Sequence, residues 1–314
     1  MPLDILTVGE ALVEVMRTGI DQPLDRPGPF IGPYPSGAPF IFAVQAARLG
    51  AQVGAVGTVG ADAFGKCLLD QLHADGIETR AVQQVKGHTT GVAFVAYNAD
   101  GSRNFVFSLG AGGLLAPDML DTSLFEGLRC LHLMGSTLSM HPTALQTGLR
   151  ALELAQAAGA RFSFDPNIRP ELLPAEEART AFAPFMAAAD VLIPTQSELH
   201  QLTGHTNTED AVQSLLAAKP DRLIVVTEGA HGCTVYSSAG SEHIPAYAVQ
   251  EVDPTGAGDC FDAGFLARWL AGNTPAQAAR WANACGALAV TKQGPMAGAE
   301  TFEVVRQFME TAQQ

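Results

Sequence analysis

Asp253-Pro254-Thr255-Gly256-Ala257-Gly258-Asp259-Cys260-Phe261-Asp262-Ala263-Gly264-Phe265 is the stretch on which the reading of this chain turns. Its small residues at 256–258 leave the backbone uncovered. An apolar helical pattern follows at once, with Phe261, Phe265 and Trp269 four apart on one face. A bare turn thus feeds straight into a helix N-terminus. The first N–H groups of a helix have no intrahelical partner and lie at the positive end of its dipole, so they attract anions, phosphate above all. A single carboxylate, Asp259, falls in that first turn. An anion cradle with a base beside it is what phosphoryl transfer to a hydroxyl requires. The plainer alternative, a glycine-rich turn that merely precedes a helix, does not account for the Asp-Pro-Thr lead-in or the Gly-Asp ending.

Around this motif, short apolar runs alternate with helical patterns. Strands are expected at 5–8, 53–59, 130–134, 162–165, 191–194 and 223–227, and helices at 39–49, 64–74, 143–158, 175–188, 208–217, 257–271, 275–291 and 301–311. Such alternation implies a mainly parallel sheet covered on both faces. Two stretches depart from it. Residues 12–35 hold several prolines and glycines without a helical period. Residues 89–109 read as a hairpin, 92–97 and 104–107, with its turn at Asn98-Ala99-Asp100-Gly101. Together they predict a small β-sheet acting as a lid over the site. The expected division is a core of 1–11, 36–87 and 111–314 and a lid of 12–35 and 88–110. A late antiparallel hairpin is expected around 234–241.

The chain has 314 residues, 47% of them hydrophobic and 16% charged, so a substantial core is available. The formal charge of −14 argues against non-specific binding to nucleic acid or an anionic membrane. An anionic nucleotide must then be held by local features against the overall field. The five cysteines (67, 130, 233, 260, 285) form no C-x-x-C pair, and the eight histidines show no metal-ligand spacing. Neither a signal peptide pattern nor an apolar run of roughly 18 residues is visible. A soluble cytoplasmic protein with reduced thiols is the expectation.

The opening motif resembles the C-terminal signature of the PfkB, or ribokinase-like, carbohydrate kinases, and the resemblance covers nearly the whole chain. Val8-Gly9-Glu10-Ala11-Leu12-Val13-Glu14 is similar to the family's first strand, which ends in an acidic sugar contact. Pro35-Ser36-Gly37-Ala38-Pro39, followed by Ala46-Ala47-Arg48-Leu49-Gly50, resembles its first glycine motif. Phe164-Asp165-Pro166-Asn167-Ile168-Arg169 and Val226-Thr227-Glu228-Gly229-Ala230-His231-Gly232 are similar to a family strand end and to its nucleotide-binding turn. The resemblance implies a three-layer α/β/α core with a β lid. It implies an ATP- and Mg2+-dependent sugar kinase in which Asp259 is the base and the N–H groups from Gly256 through Ala257 and Gly258 to Asp259 form the anion hole.

Other residues follow from the same resemblance, each with a plainer reading. Glu14 would accept hydrogen bonds from sugar hydroxyls, or be an exposed lid residue. Gly37 would let the sugar approach the backbone, or simply start a helix. Arg169 would hold phosphate or substrate oxygens, or pair with Asp165 or Glu171. Glu198 falls at the acidic end of an Asn-x-x-Glu pattern that helps organise magnesium, although Thr195 replaces the Asn. Thr227 and Gly229 would line the nucleotide, with Asn283 near the base. Asp253 would tie down the loop or serve a monovalent cation such as K+, and Asp262 is read as a solvated first-turn charge. A homodimer through the lid edge is a further expectation.

A second glycine motif competes for the phosphate. Gly60-Ala61-Asp62-Ala63-Phe64-Gly65-Lys66-Cys67 matches G-x-x-x-x-G-K. Cys67 stands where a P-loop needs Ser or Thr, and Asp62 would put a negative charge into the cradle. The reading is a strand–helix turn, with Asp62 as helix cap and Lys66 in solvent.

The acceptor is less legible. Ile41 stands where many family members have an Asn that meets the sugar, and Ile cannot hydrogen-bond a hydroxyl. The Pro35–Pro39 and Asp100–Phe107 patterns and Met134-Gly135-Ser136-Thr137-Leu138 resemble bacterial tagatose kinases. A 2-keto-3-deoxygluconate kinase is the chief rival and a ribokinase another. The keto-acid requires a cation for its carboxylate, yet Phe107-Ser108-Leu109 lacks the Arg those kinases carry there; Arg103 or Arg169 would have to compensate. A neutral ketohexose, tagatose or fructose, is therefore favoured. A sugar- or nucleotide-binding protein without transfer activity is the alternative from another class.

Overall fold

The computed structural model describes residues 2–100 and 102–312. Gly101, the last residue of the expected lid turn, lies outside the described residues. The chain opens with β1 (Ile5–Val8), β2 (Leu12–Arg17), β3 (Phe30–Ser36), α1 (Ala38–Arg48), β4 (Val53–Gly60), α2 (Ala63–Ala74) and β5 (Glu78–Val85). β6 (Gly91–Tyr97), β7 (Arg103–Ser108), β8 (Cys130–Met134), α3 (Gly135–Leu138), α4 (Pro142–Ala157), β9 (Arg161–Asp165), α5 (Ala175–Ala188) and β10 (Val191–Leu192) follow. The last third holds α6 (Gln196–Thr203), α7 (Thr208–Ala218), β11 (Leu223–Thr227), β12 (Cys233–Ser237), β13 (Gly240–Ile244), α8 (Ala257–Leu270), α9 (Pro275–Ala289) and α10 (Phe302–Ala312).

Nine strands form the core sheet in the order β13-β12-β11-β10-β9-β8-β1-β4-β5. All its neighbours pair in parallel except β11–β12 and β12–β13, which make the late antiparallel hairpin. Side chains alternate between the faces, as the period of two in a strand demands. Ile5, Val53, Ala55 and Val225 enter one buried cluster with Phe40 and Phe42 of α1 and Phe265 of α8. Leu6, Val56, Leu131, Leu133, Phe162 and Phe164 enter the other with Phe182 and Phe185 of α5. The sheet thus has a helical layer and an apolar core on each face, the expected α/β/α arrangement.

A second sheet, β3-β2-β6-β7, is built from the two excursions. β2 pairs antiparallel with β3 and parallel with β6, and β6 pairs antiparallel with β7. The expected hairpin spans 91–108 in this sheet. Three elements lack a counterpart among the expected ones. β5 is a half-polar edge strand, α3 is a single turn of four residues, and α6 is a short polar helix that begins at the Thr195–Glu198 metal motif. No helix among the described residues is long and apolar enough to cross a membrane.

The turn after β4 is structural. Asp62 caps α2 by accepting from Gly65 N–H at 2.8 Å, and it also accepts from Thr90 N–H and Thr90 Oγ1. Lys66 is exposed and paired with Asp70 on the same helix. Lys66→Ala should therefore leave kcat and the KM for ATP within about twofold, whereas a P-loop lysine reaches the β/γ-phosphates. Asp62→Ala should lower stability by about 1–2 kcal/mol in denaturant unfolding, because a cap is lost.

Candidate active site

The carboxyl ends of β1, β8, β9, β10 and β11 converge on one cleft, roofed by the lid sheet, with a cavity of about 280 Å³. Strand order reverses between β1 and β8, and open α/β sheets bind ligands outside such a switch point. The chain crosses it with a hydrogen-bonded link. Glu10, just past β1, accepts from Ser136 Oγ at 2.9 Å and from Thr137 Oγ1. Burial pushes the Glu10 carboxyl above its ordinary range, against the pull of those hydroxyls.

Gly256 takes φ +83° immediately before α8, and a Cβ there would lie 2.5 Å from the Pro295 carbonyl, so only glycine fits this entry to the helix. The amides of 257–259 begin α8 and have no partner within it. At Gly258 an added Cβ would meet no protein atom, leaving space over those amides. Asp259 sits in this first turn, 8% exposed. Burial raises its pKa to about 7; Arg169 opposes the shift and Glu10 adds to it. A helix N-terminus by itself would favour the low value of an ordinary aspartate; here desolvation dominates.

The loop before the turn is tied down. Asp253 accepts from Thr255 N–H at 3.0 Å and Gly294 N–H at 2.8 Å, and from Tyr97 Oη at 2.8 Å. Tyr97 closes β6, so this contact joins the lid to the segment that leads into α8. Of the two roles expected for Asp253, loop-tying is the one its contacts fill. Arg103, at the start of β7, reaches the same point, with Nη1 3.4 Å from Thr255 Oγ1.

The cleft is also lined by Glu14, Gly37, Ile41, Arg103, Phe105 and Phe107. Glu14 is buried, not exposed. Its Oε1 accepts from Ser36 Oγ at 2.6 Å, while Oε2 has no protein partner among the described residues. Burial raises its pKa to about 7, partly offset by Ser36. Gly37 has φ +103°, and a Cβ there would lie 2.3 Å from the Glu10 carbonyl, which explains the glycine by backbone approach as well as by the cleft.

Arg169 lines the cleft without an ion pair among the described residues; its Nη1 reaches only the Ile168 carbonyl, at 3.3 Å. The expected alternative pairing with Asp165 or Glu171 is not made. Glu198 is fully engaged. Oε2 accepts from Thr195 N–H and Thr195 Oγ1, each at 2.8 Å, and Oε1 from Ile168 N–H at 2.7 Å. Thr195, which replaces the family's Asn, therefore acts as the N-cap of a capping box that starts α6. The Thr-x-x-Glu spacing was a readable signal for that helix.

Thr227 reaches the cleft, whereas Gly229 and Asn283 are not among its lining residues. Asn283 is buried, and its Nδ2 donates to the carbonyls of Ile244 and Pro245 at 3.0 and 3.1 Å, fixing the segment after β13. Asp262 corrects the sequence reading. It is 2% exposed rather than solvated, because α8 is buried from Asp259 to Ala267. Glu10, Asp165 and Asn167 also belong to the site without having been singled out. Asn167 Nδ2 lies 3.5 Å from Asp259 Oδ1, and its Oδ1 is buried without a partner. Asp165-Pro166-Asn167 lay in a segment already noted, but nothing in the sequence tied it to Asp259.

With this geometry in view, the comparisons with known proteins are specific. Residues 4–301 match the model of the pfkB family of carbohydrate kinases. Fructokinase-1 of Oryza sativa subsp. japonica is 35% identical over 318 aligned positions, covering 98% of each chain. A provisionally named Ribokinase II from E.coli, solved with ATP and Mg2+, superposes with a TM-score of 0.93 at 37% identity, over 98% of this chain and 99% of that one. A fructokinase double mutant from Vibrio cholerae O395, with fructose, ADP and potassium bound, gives 0.82 at 27% identity, over 98% and 99%. The chain belongs to the pfkB family of carbohydrate kinases.

Proposed function

We propose that this protein transfers the γ-phosphate of MgATP to a hydroxyl of a neutral ketohexose, tagatose or fructose. The observation that carries the reading is Asp259, a buried carboxyl with a pKa near neutrality, lying in the same turn as the free amides of 257–259. Phosphoryl transfer needs little covalent help from protein, so positioning and charge neutralisation supply most of the rate. Asp259 accepts the proton of the sugar's primary hydroxyl as it attacks in line. The amides from Gly256 onward and the unpaired Arg169 guanidinium neutralise the charge on the transferring group. Glu14 Oε2 and Asn167 Oδ1, both buried and unpartnered, are acceptors for sugar hydroxyls. Thr227 faces the nucleotide end, and Gly229 and Asn283 shape the turns around it.

MgATP is the donor substrate, and Mg2+ bound to phosphates keeps several waters. Both oxygens of Glu198 already accept hydrogen bonds from the chain, which favours an indirect role toward the metal, through the 166–168 turn. Asp253 keeps the loop-tying role, and K+ is not assigned to it. A neutral acceptor is favoured because Arg103 turns toward Thr255 and the acceptor end is lined by Ile41, Phe105 and Phe107. Similarity to fructokinases supports a ketohexose. A 2-keto-3-deoxygluconate or ribose acceptor is the alternative, and a non-catalytic binder loses one of its two supports now that Thr195 has a structural role. Phe30, Ile31 and Val106 are exposed on the lid's edge strands, which favours a homodimer through that sheet.

Sugar-dependent ADP formation from tagatose, fructose, ribose and 2-keto-3-deoxygluconate tests the acceptor directly. The two ketohexoses should give the highest kcat/KM; a preference for the keto-acid would transfer the assignment to the rival. Asp259→Asn should lower kcat by about 10²–10⁴-fold. The acid limb of wild-type activity should fall near neutral pH, since protonated Asp259 cannot accept a proton. The same substitution should raise Tm at pH 8. A carboxyl whose pKa rises from 3.8 unfolded to about 7 folded weakens the folded state progressively as pH climbs between those values. The gain should shrink at pH 5. Sedimentation equilibrium should give a dimer mass, and Val106→Glu a monomer.

A further inference from the structure

Two tyrosines of the lid hold the entry to α8, and neither is among the residues that line the cleft. Both act at Asp253, which is buried. Its Oδ1 accepts from Thr255 N–H at 3.0 Å and its Oδ2 from Gly294 N–H at 2.8 Å, so it joins two separate stretches of chain. The lid meets both. Tyr97, at the end of β6, donates its hydroxyl to Oδ1 at 2.8 Å. The ring of Tyr34, from β3, lies over Gly294, where an added Cβ would come within 2.8 Å of Tyr34 Cδ1.

Donors and acceptors give the hydrogen bonds around Tyr97 a direction. A phenol has one proton to give. Burial raises the Tyr97 hydroxyl above the ordinary tyrosine value, so it keeps that proton. Asp253 Oδ1 at 2.8 Å is a better acceptor than Met16 Sδ at 3.6 Å. Thr255 Oγ1 lies 3.1 Å from Tyr97 Oη. With the phenol proton on Asp253, the threonine hydroxyl is the donor of that pair. Its lone pairs are left for Arg103 Nη1 at 3.4 Å. The bonds therefore run one way, from Arg103 in the cleft through Thr255 and Tyr97 to the buried Asp253.

Both stretches converge on Gly256. Thr255 precedes it directly. Pro295 follows Gly294, and its carbonyl is the atom that a Cβ on Gly256 would meet at 2.5 Å. The left-handed residue that starts α8 is thus set between one segment fixed by Tyr97 and another covered by Tyr34. A displacement of either segment moves Gly256, and with it the first turn of α8 that carries the 257–259 amides and Asp259.

We propose that Tyr97, supported by Tyr34, is a positioning residue for the turn into α8, so that the lid sets where the 257–259 amides and Asp259 stand. Neither tyrosine is a catalytic residue, since each acts through Asp253 and its neighbours. The proposal rests on the kinase reading above. Its test uses the full chain and Tyr97→Phe, which removes one hydroxyl and keeps the ring. At saturating substrates kcat should fall about 5- to 30-fold, because small misplacements of reacting groups are costly. Sugar KM should stay within about threefold, since Glu14 and Gly37 are untouched. A contact that merely steadied the lid would give the opposite split, a higher sugar KM with kcat unchanged. In an Asp253→Ala background the acceptor is gone, and Tyr97→Phe should then change kcat by less than about twofold. Hydrogen exchange needs no turnover: the amides of 255–259 should exchange at least about fivefold faster in Tyr97→Phe, with those of β8 unchanged.

A Tyr97→Phe protein with wild-type kcat overturns the proposal. So does a loss that persists undiminished in the Asp253→Ala background, or unchanged exchange at 255–259. If Asp253→Ala does not fold, the split between kcat and KM and the exchange rates of Tyr97→Phe decide. Wild type without sugar-dependent ADP formation would instead sink the kinase reading, and the exchange rates alone would then judge the positioning role.

Discussion

The desolvation of carboxyl groups at one end of the parallel sheet is the constraint around which the site is organised. Glu10, Glu14, Asp165, Asp259 and Asp262 are all buried there. Left ionised and unpaired, such groups would be severely destabilising. The fold contains them in three ways. Hydroxyls of Ser36, Ser136 and Thr137 donate to two of them. Backbone amides at 167 and 168 take up oxygens of Asp165 and Glu198. At Asp259 and Asp262 burial raises the pKa, which disfavours the charged form. At Asp259 the residual cost suits the role proposed for it, because a proton acceptor poised near neutrality is matched to general-base work at cellular pH.

The lid belongs to the same arrangement. Tyr97 and Arg103 bracket the tip of the β6–β7 hairpin, and both reach the Asp253–Thr255 segment immediately before the anion turn. The hairpin is therefore tied directly to the turn that enters α8. Closing such a roof also excludes water, which strengthens every charge interaction beneath it.

The fold was legible because its signals were local and periodic. Cys130–Met134 and Leu223–Thr227 are short apolar runs between helical patterns, and they appear as β8 and β11 with the expected bounds. The turn into α8 was legible because glycine spacing, helix onset and Asp259 are contiguous. What stayed hidden depends on long-range packing. Asp262 looks like a surface charge on a helix's first turn, and only the layers packed around α8 bury it. Asn167 has no local signature pointing to Asp259. Asn283 shows the reverse: a residue assigned to the nucleotide by resemblance spends its amide on two carbonyls of the chain. Glu198 and Thr195 lie between these cases, since their spacing encoded a capping box as plainly as a metal motif.

The proposed transfer chemistry depends most on the state of Asp259 in the folded protein. Carboxyl 13C NMR of aspartate-labelled protein, with the Asp259 signal identified by its loss in Asp259→Asn, measures that state without assuming any substrate. The account predicts a titration midpoint near pH 7. A midpoint close to 4, the ordinary aspartate value, would contradict it, since the proposed base would then be an exposed or fully compensated carboxylate with no special poise.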